Sequence, residues 1–487
     1  MAITLLQPID VPLYDPRHEH DACGVGFVAD LDGRHAGRTV PMALEALAAL
    51  AHRGARAADD QTGDGAGISI PISARFGRRL LAEAGLAARP NGRVAVAMCF
   101  FPAEADAAAH LIEARAADDG LIIAGWRDVP VQPELVTGRA ATEAPVIRQA
   151  IVIGASRLSP LAFARRLAIL RRAIERDASA TLGLESLAIV SISSQQVVYK
   201  GLFVGDELGR FYDDLGADDL DARYAVFHQR YSTNTFPSWR LAQPFGYLAH
   251  NGEINTVRAN REAMRGRRHA LGQGRWAQRL REVGPLVTEV GSDSQSLDDA
   301  LELLLLGGMR IEEAIGSLIP AASGLGGPVL DPTQSRSEAW DGPAAVVFAD
   351  GRRVGCLLDR NGLRPLALAA TDDGLVVVSS EAGSIDLAQH RVTHRSRLGP
   401  GAMVLVDVRS GRMVGPTTDR LRQAPRMAPR RLVTSIPVAE MPVADRHVRV
   451  ALGLDAEVVK QQIRPMATAA HEAIWSMGDD TPIAPLA

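Results

Sequence analysis

Short apolar runs, broken by glycines and polar turns, set the pattern of this chain. The small and apolar residues over 23–29 (Cys23-Gly24-Val25-Gly26-Phe27-Val28-Ala29) predict a strand whose glycines allow close backbone approach, ending at the turn Asp32-Gly33. An apolar helix is predicted over 43–51, closed by His52-Arg53-Gly54. Thr62-Gly63-Asp64-Gly65-Ala66-Gly67 then forms a glycine-rich stretch. It lacks the Lys-Ser/Thr of a phosphate-binding loop and the spacing of a dinucleotide fingerprint, so it reads as a tight structural turn.

Between Gly92 and Lys200 the periodicity alternates: strand over 94–100, helix over 103–116, strands over 121–126 and 146–153, helix over 160–177, strand over 187–193. This βαββαβ order predicts a ferredoxin-like insert spanning about 92–200, a scaffold to which no catalysis is assigned. Strands return over 224–230, 245–250, 344–349, 354–358, 375–379 and 403–408, with helices over 254–267, 296–306 and 311–318 between them. Strands in hairpin-like succession with helices grouped between them predict an α+β fold of antiparallel sheets covered by helices. The stretch 420–443, rich in Pro and Arg, reads as a linker, and a last helix is predicted over 455–469.

Composition narrows the function classes. The 487 residues are 47% hydrophobic and 23% charged with a net charge of −4, the balance of a soluble globular protein with no basic footprint for nucleic acid or an anionic membrane. Only Lys200 and Lys460 are lysines, a bias attributed to genome composition. No apolar run is long enough to span a bilayer, and the start of the chain, broken by Pro8, Asp10 and Pro12, is not a secretory signal. Three scattered cysteines, Cys23, Cys99 and Cys356, without any CxxC, suit a reducing cytoplasm and give no zinc or iron–sulfur motif. His18, Glu19 and His20 resemble a metal cluster on paper but lie in the leader, so no metal site is expected.

Candidate chemistry centres on Cys23, which follows a polar leader. Were residues 1–22 cut away, the chain would begin with a thiol beside its own α-amine. An α-amine titrating near about 7.7–8.0 can take the proton of a thiol near about 8.5 at little cost, giving nucleophile and base in one residue. The plain alternative is one more small buried residue. Arg230, in Arg230-Tyr231-Ser232-Thr233-Asn234, closes a strand with a guanidinium fork able to hold a carboxylate. Asn251 and Gly252, in His250-Asn251-Gly252-Glu253, offer a side-chain amide and a backbone N–H as paired oxyanion donors. Asp293, in Gly291-Ser292-Asp293-Ser294, suits a substrate ammonium, a helix cap, or both. Arg53 is read as a cation near the thiol or as a structural cap.

These motifs resemble those of the class II glutamine amidotransferases, which are N-terminal-nucleophile hydrolases, and they occur in that family's order. Within the class the chain is similar to the N-terminal part of glutamate synthase large subunits. The residues that carry this are His20-Asp21-Ala22-Cys23-Gly24-Val25-Gly26, His52-Arg53-Gly54-Ala55, Thr62-Gly63-Asp64-Gly65-Ala66-Gly67 and Thr235-Phe236-Pro237-Ser238-Trp239. They continue in Trp340-Asp341-Gly342-Pro343-Ala344, Asp359-Arg360-Asn361-Gly362-Leu363-Arg364-Pro365 and Ser476-Met477-Gly478-Asp479-Asp480-Thr481-Pro482. The 207 positions between Cys23 and Arg230 exceed the spacing of the phosphoribosyl-pyrophosphate and glucosamine-phosphate amidotransferases, and the βαββαβ insert accounts for the excess.

The resemblance implies a four-layer αββα core with Cys23 on an edge of one sheet, a leader over 1–22 removed from a zymogen, an amidotransferase domain over 23–430, and a linker and the beginning of the central domain over 431–487. It implies hydrolysis of L-glutamine to glutamate and ammonia through a γ-glutamyl thioester on Cys23. Asn251 and Gly252 would hold the oxyanion, Arg230 the α-carboxylate and Asp293 the α-ammonium, with Arg53 near the nucleophile. The ammonia would go to 2-oxoglutarate in glutamate biosynthesis, an oxidoreductase reaction requiring the rest of the large subunit, with its flavin mononucleotide (FMN) and iron–sulfur cluster, and a small electron-delivering subunit. No cofactor is expected in this chain. The alternatives are a stand-alone amidotransferase for another acceptor and a non-enzymatic glutamine-binding remnant.

Overall fold

A computed structural model describes residues 23–56, 59, 61–86, 90–230, 237–271, 274–289, 291–320, 338–415 and 458–469. The predicted leader, most of the predicted linker and central-domain segment, and the terminal motif 476–482 lie outside the described residues.

The apolar run after Cys23 forms β1 (Gly24–Asp30), buried throughout. It lies at the middle of a seven-stranded sheet. On one side stand β13 (Leu375–Ser379), β12 (Ala367–Thr371) and β14 (Val392–Arg397); on the other, β8 (Tyr224–Gln229), β2 (Ala66–Pro71) and β7 (Gln196–Gly201). Cys23 is therefore at the end of a central strand and not on a sheet edge, because β1 is hydrogen-bonded along both flanks by β8 and β13. Only small residues fit so crowded a place: a Cβ on Gly26 would come within 2.2 Å of the Val378 carbonyl oxygen and 2.5 Å of the Phe227 ring.

A five-stranded sheet runs in the order β16 (Arg412–Val414), β15 (Met403–Asp407), β11 (Arg353–Leu358), β10 (Ala344–Ala349), β9 (Leu248–Gly252). Alternation along β1 explains how the sheets meet. Val25, Phe27 and Ala29 join Ala249, Val347 and Val404 in one apolar cluster shared by both sheets. Val28 turns to the opposite face, toward the helix Thr39–Ala49. The outer face of the five-stranded sheet packs on the helices Asp293–Leu306 and Ile311–Leu318 through Leu297, Leu301 and Ile315.

The third sheet has the order β4 (Leu121–Asp128), β5 (Val146–Gly154), β3 (Arg93–Phe101), β6 (Ala188–Ser193), with every pairing antiparallel. One face packs on the helices Ala105–Asp118 and Pro160–Ser179, and the other contributes Val96, Met98 and Phe100 to the core of the seven-stranded sheet. Gln196–Gly201, inside the span predicted for the insert, instead pairs with β2 in the large sheet. Among the described residues no helix is long and apolar enough to cross a membrane.

Candidate active site

The strand register brings the predicted residues together. Gly24 pairs with Gln229 across β1 and β8, so Cys23 and Arg230 leave the two neighbouring strands side by side. Cys23 is 8% exposed. From the facing sheet, Asn251 near the end of β9 donates its side-chain N–H to the Cys23 carbonyl oxygen at 3.0 Å. Gly252 follows with φ +145°, and a Cβ there would meet the Pro343 carbonyl oxygen at 1.8 Å, so the turn out of β9 requires glycine.

Asp293 opens the helix Asp293–Leu306. Ser292 is its N-cap, accepting the Gln295 backbone N–H at 3.0 Å. Asp293 itself is buried, and one carboxylate oxygen accepts the Ile254 N–H at 2.8 Å while the other accepts the Ser294 N–H at 2.7 Å. These bonds tie the helix start to the chain two residues past Gly252. His250 Nδ1 lies 2.8 Å from Ser294 Oγ, a second link between β9 and the same helix.

Arg230 has φ +88°, the one positive φ outside glycine among the described residues, a conformation that costs roughly 1–3 kcal/mol and marks a site held by its surroundings. Its N–H donates to the Gly65 carbonyl oxygen at 2.7 Å, and its Nε lies 3.7 Å from Asp64 Oδ2. The glycine-rich stretch, read from sequence as a turn, thus also delivers a buried carboxylate beside the nucleophile. Burial raises the Asp64 carboxyl to about 7, with Arg230 pulling the other way.

Burial likewise pushes the Cys23 thiol up to about 11; Arg230 and Arg364 lower it and Asp64 adds to the rise. Arg53 is engaged by a carboxylate at the same end of β1. Its Nε donates to Glu381 Oε2 at 2.6 Å, and His52 Nε2 lies 3.0 Å from the same oxygen. That group sits beside the start of β1, since the neighbouring Ser380 donates its N–H to the Val25 carbonyl oxygen at 2.8 Å. Sequence reasoning missed Glu381, and it held Asp64 and Arg364 only as parts of family motifs. Cys99 and Cys356 are buried in sheet interiors, where desolvation raises their thiols.

Comparison with known proteins identifies the family. The model of the family described as glutamine amidotransferases class-II matches residues 23–424, beginning at the cysteine, and the glutamate synthase central domain matches residues 447–487. The chain is 36% identical to the glutamate synthase [NADPH] large chain of Azospirillum brasilense over 97% of its own length and 33% of that protein. It is 36% identical to the chloroplastic ferredoxin-dependent glutamate synthase of Spinacia oleracea, covering 99% of this chain and 31% of that one. Against the glutamate synthase [NADPH] large chain of Bacillus subtilis the identity is 34%, over 97% and 32% of the two chains. The chain spans about a third of the length of these relatives. It belongs to the class II glutamine amidotransferases, as an amidotransferase region of glutamate synthase type followed by a segment that matches the glutamate synthase central domain.

Proposed function

We propose that this chain hydrolyses L-glutamine to L-glutamate and ammonia as the amidotransferase half of a glutamate synthase. The observation that carries this reading is the convergence of Cys23, Asn251 and Arg230 from two facing sheets at the residue where the family match begins.

Removal of residues 1–22 frees the α-amine of Cys23. The thiol proton passes to that amine while the sulfur adds to the side-chain amide carbon of glutamine. The tetrahedral oxyanion is held by the Asn251 side-chain N–H and the Gly252 backbone N–H. The amine returns the proton to the departing nitrogen, ammonia leaves, and water cleaves the γ-glutamyl thioester to release glutamate and the thiol. Arg230 pairs with the substrate α-carboxylate and Asp293 with the α-ammonium. Arg53, held by Glu381, is the further cation near the nucleophile.

The packing of two sheets face to face with helices outside supports the four-layer αββα arrangement. The strand order β4-β5-β3-β6 supports a ferredoxin-like insert. The ammonia is destined for 2-oxoglutarate. That reduction belongs to the remainder of the large subunit, with its flavin mononucleotide and iron–sulfur cluster, and to a small electron-delivering subunit, in the cytoplasm. Ammonia release from glutamine, measured on the purified chain with Cys23→Ala as control, tests the assignment: the expected result is turnover that the substitution abolishes.

A further inference from the structure

Three segments distant in sequence meet at the far end of β1 from Cys23. They are the loop that leaves β1, the turn between β12 and β13, and the loop that enters β14, and each brings one side chain to a common point. His390 Nδ1 lies 2.7 Å from Asp373 Oδ2, and His35 Nε2 lies 3.2 Å from the same oxygen. The two imidazole rings stand edge to face with centroids 5.6 Å apart, and one donor atom from each of the three residues falls within 4.8 Å of the others.

We propose that His35, Asp373 and His390 form a binding site for a divalent transition-metal ion, Zn(II) or a close analogue such as Co(II), held by two imidazole nitrogens and one carboxylate oxygen. Two imidazoles and a carboxylate suit zinc, whereas magnesium and calcium sites are built from oxygens. Metal bonds of about 2.0–2.2 Å set donor atoms roughly 3.3–3.5 Å apart, so the two nitrogen–carboxylate distances need open by only about 0.1–0.8 Å, and the two nitrogens, within 4.8 Å of each other, need close by no more than about 1.5 Å.

The surroundings hold the donors in place, as outer-shell groups do at metal centres. Thr371 Oγ donates to the second oxygen of Asp373 and itself accepts the Leu375 N–H at 3.0 Å. The His35 backbone N–H donates to Asp30 Oδ2 at 2.8 Å, and the other oxygen of this fully buried aspartate accepts the N–H groups of Asp32 and Gly33. The imidazole atom His35 Nε2 is itself buried, and among the described residues its approach to Asp373 Oδ2 at 3.2 Å lacks hydrogen-bond alignment. A nitrogen cut off from water without a well-aligned partner carries a desolvation cost that a metal bond removes.

The three side chains are 18%, 28% and 5% exposed in the order His35, Asp373, His390, which leaves an ion a way in. The seven residues of β1 separate this corner from Cys23 by roughly 20 Å at about 3.3 Å per residue, so the ion would fasten the β12–β13–β14 flank to the central strand without touching the glutamine chemistry.

The test uses the whole purified chain, stripped with a chelator and titrated with Co(II) and then Zn(II). The measurements are calorimetry, visible absorption of bound Co(II) and thermal melting. The expected result is one saturable equivalent, a rise in melting temperature on saturation, and an affinity at least tenfold weaker in Asp373→Asn and in His390→Gln but unchanged in His394→Gln. Asp373→Asn keeps the shape of the side chain, and the melting curve of each stripped variant reports its fold. Absence of a saturable equivalent, or affinity unaltered in both variants, would overturn the proposal in favour of a metal-free His–Asp–His cluster. Neither outcome bears on glutamine turnover.

Discussion

Arg230 and Asp64 face each other across 3.7 Å, both largely shielded from water, and among the described residues neither Nε nor Nη1 of Arg230 makes a hydrogen bond. A guanidinium with donors to spare is ready for a second carboxylate, and Asp64, about half ionised at neutral pH because burial raises it to about 7, supplies part of the charge that keeps it in the site while that carboxylate is absent. Asp64→Asn removes the charge but keeps the shape. The expected outcome in steady-state ammonia release is a KM for glutamine raised about tenfold, a loss of about 1.4 kcal/mol of ground-state binding, with kcat changed less than about threefold. An unchanged or lowered KM would show that Asp64 does not serve the Arg230 clamp.

Asn251 is aimed at Cys23 by its 3.0 Å hydrogen bond to the cysteine carbonyl, and its place near the end of β9 is fixed by pairing with Ala345. If its N–H also stabilises the oxyanion, Asn251→Ala costs about 3–4 kcal/mol in the barrier. Turnover then falls by about two to three powers of ten while KM moves little, and a matched fall in stability would be absent from the melting curve.

The Cys23 thiol, raised to about 11 by burial in the chain that still carries its leader, is protonated at neutral pH. Alkylation requires the thiolate, so its rate in the leader-bearing chain should rise about tenfold per pH unit from pH 7 to pH 10 without a plateau. After processing, the free α-amine, titrating near about 7.7–8.0, accepts the thiol proton, and the reaction should level off near neutral pH. Iodoacetamide kinetics on the two forms, followed by peptide mass analysis at Cys23, measure both profiles.

Much of this architecture is legible in the sequence, and the gaps have physical causes. β10 and β13 are runs of buried apolar residues whose bounds match the prediction. β12 escaped because Ala-Leu-Ala-Ala-Thr carries little strand preference, and β14 because Val-Thr-His-Arg-Ser-Arg is a polar, mostly exposed edge strand. β2 was hidden behind the glycines that precede it. The helix predicted over 296–306 begins earlier, at Asp293, because Ser292 caps it. At the site, Cys23, Arg230, Asn251 and Gly252 each carry a local signal at a strand end. Asp64 and Glu381 carry no signal that assigns them a role, since only the pairing of β2 with β8 and of β1 with β13 brings them to the site. The same holds for His35, Asp373 and His390, which share no spacing a reader of the sequence could use.

The most direct test of the central claim is the intact mass of the purified protein before and after exposure to a diazo-ketone analogue of glutamine. The account predicts a chain that starts at Cys23 and gains one covalent adduct at that residue, with no adduct in Cys23→Ala. A chain that keeps residues 1–22 and still releases ammonia from glutamine, or an adduct that persists in Cys23→Ala, would contradict it.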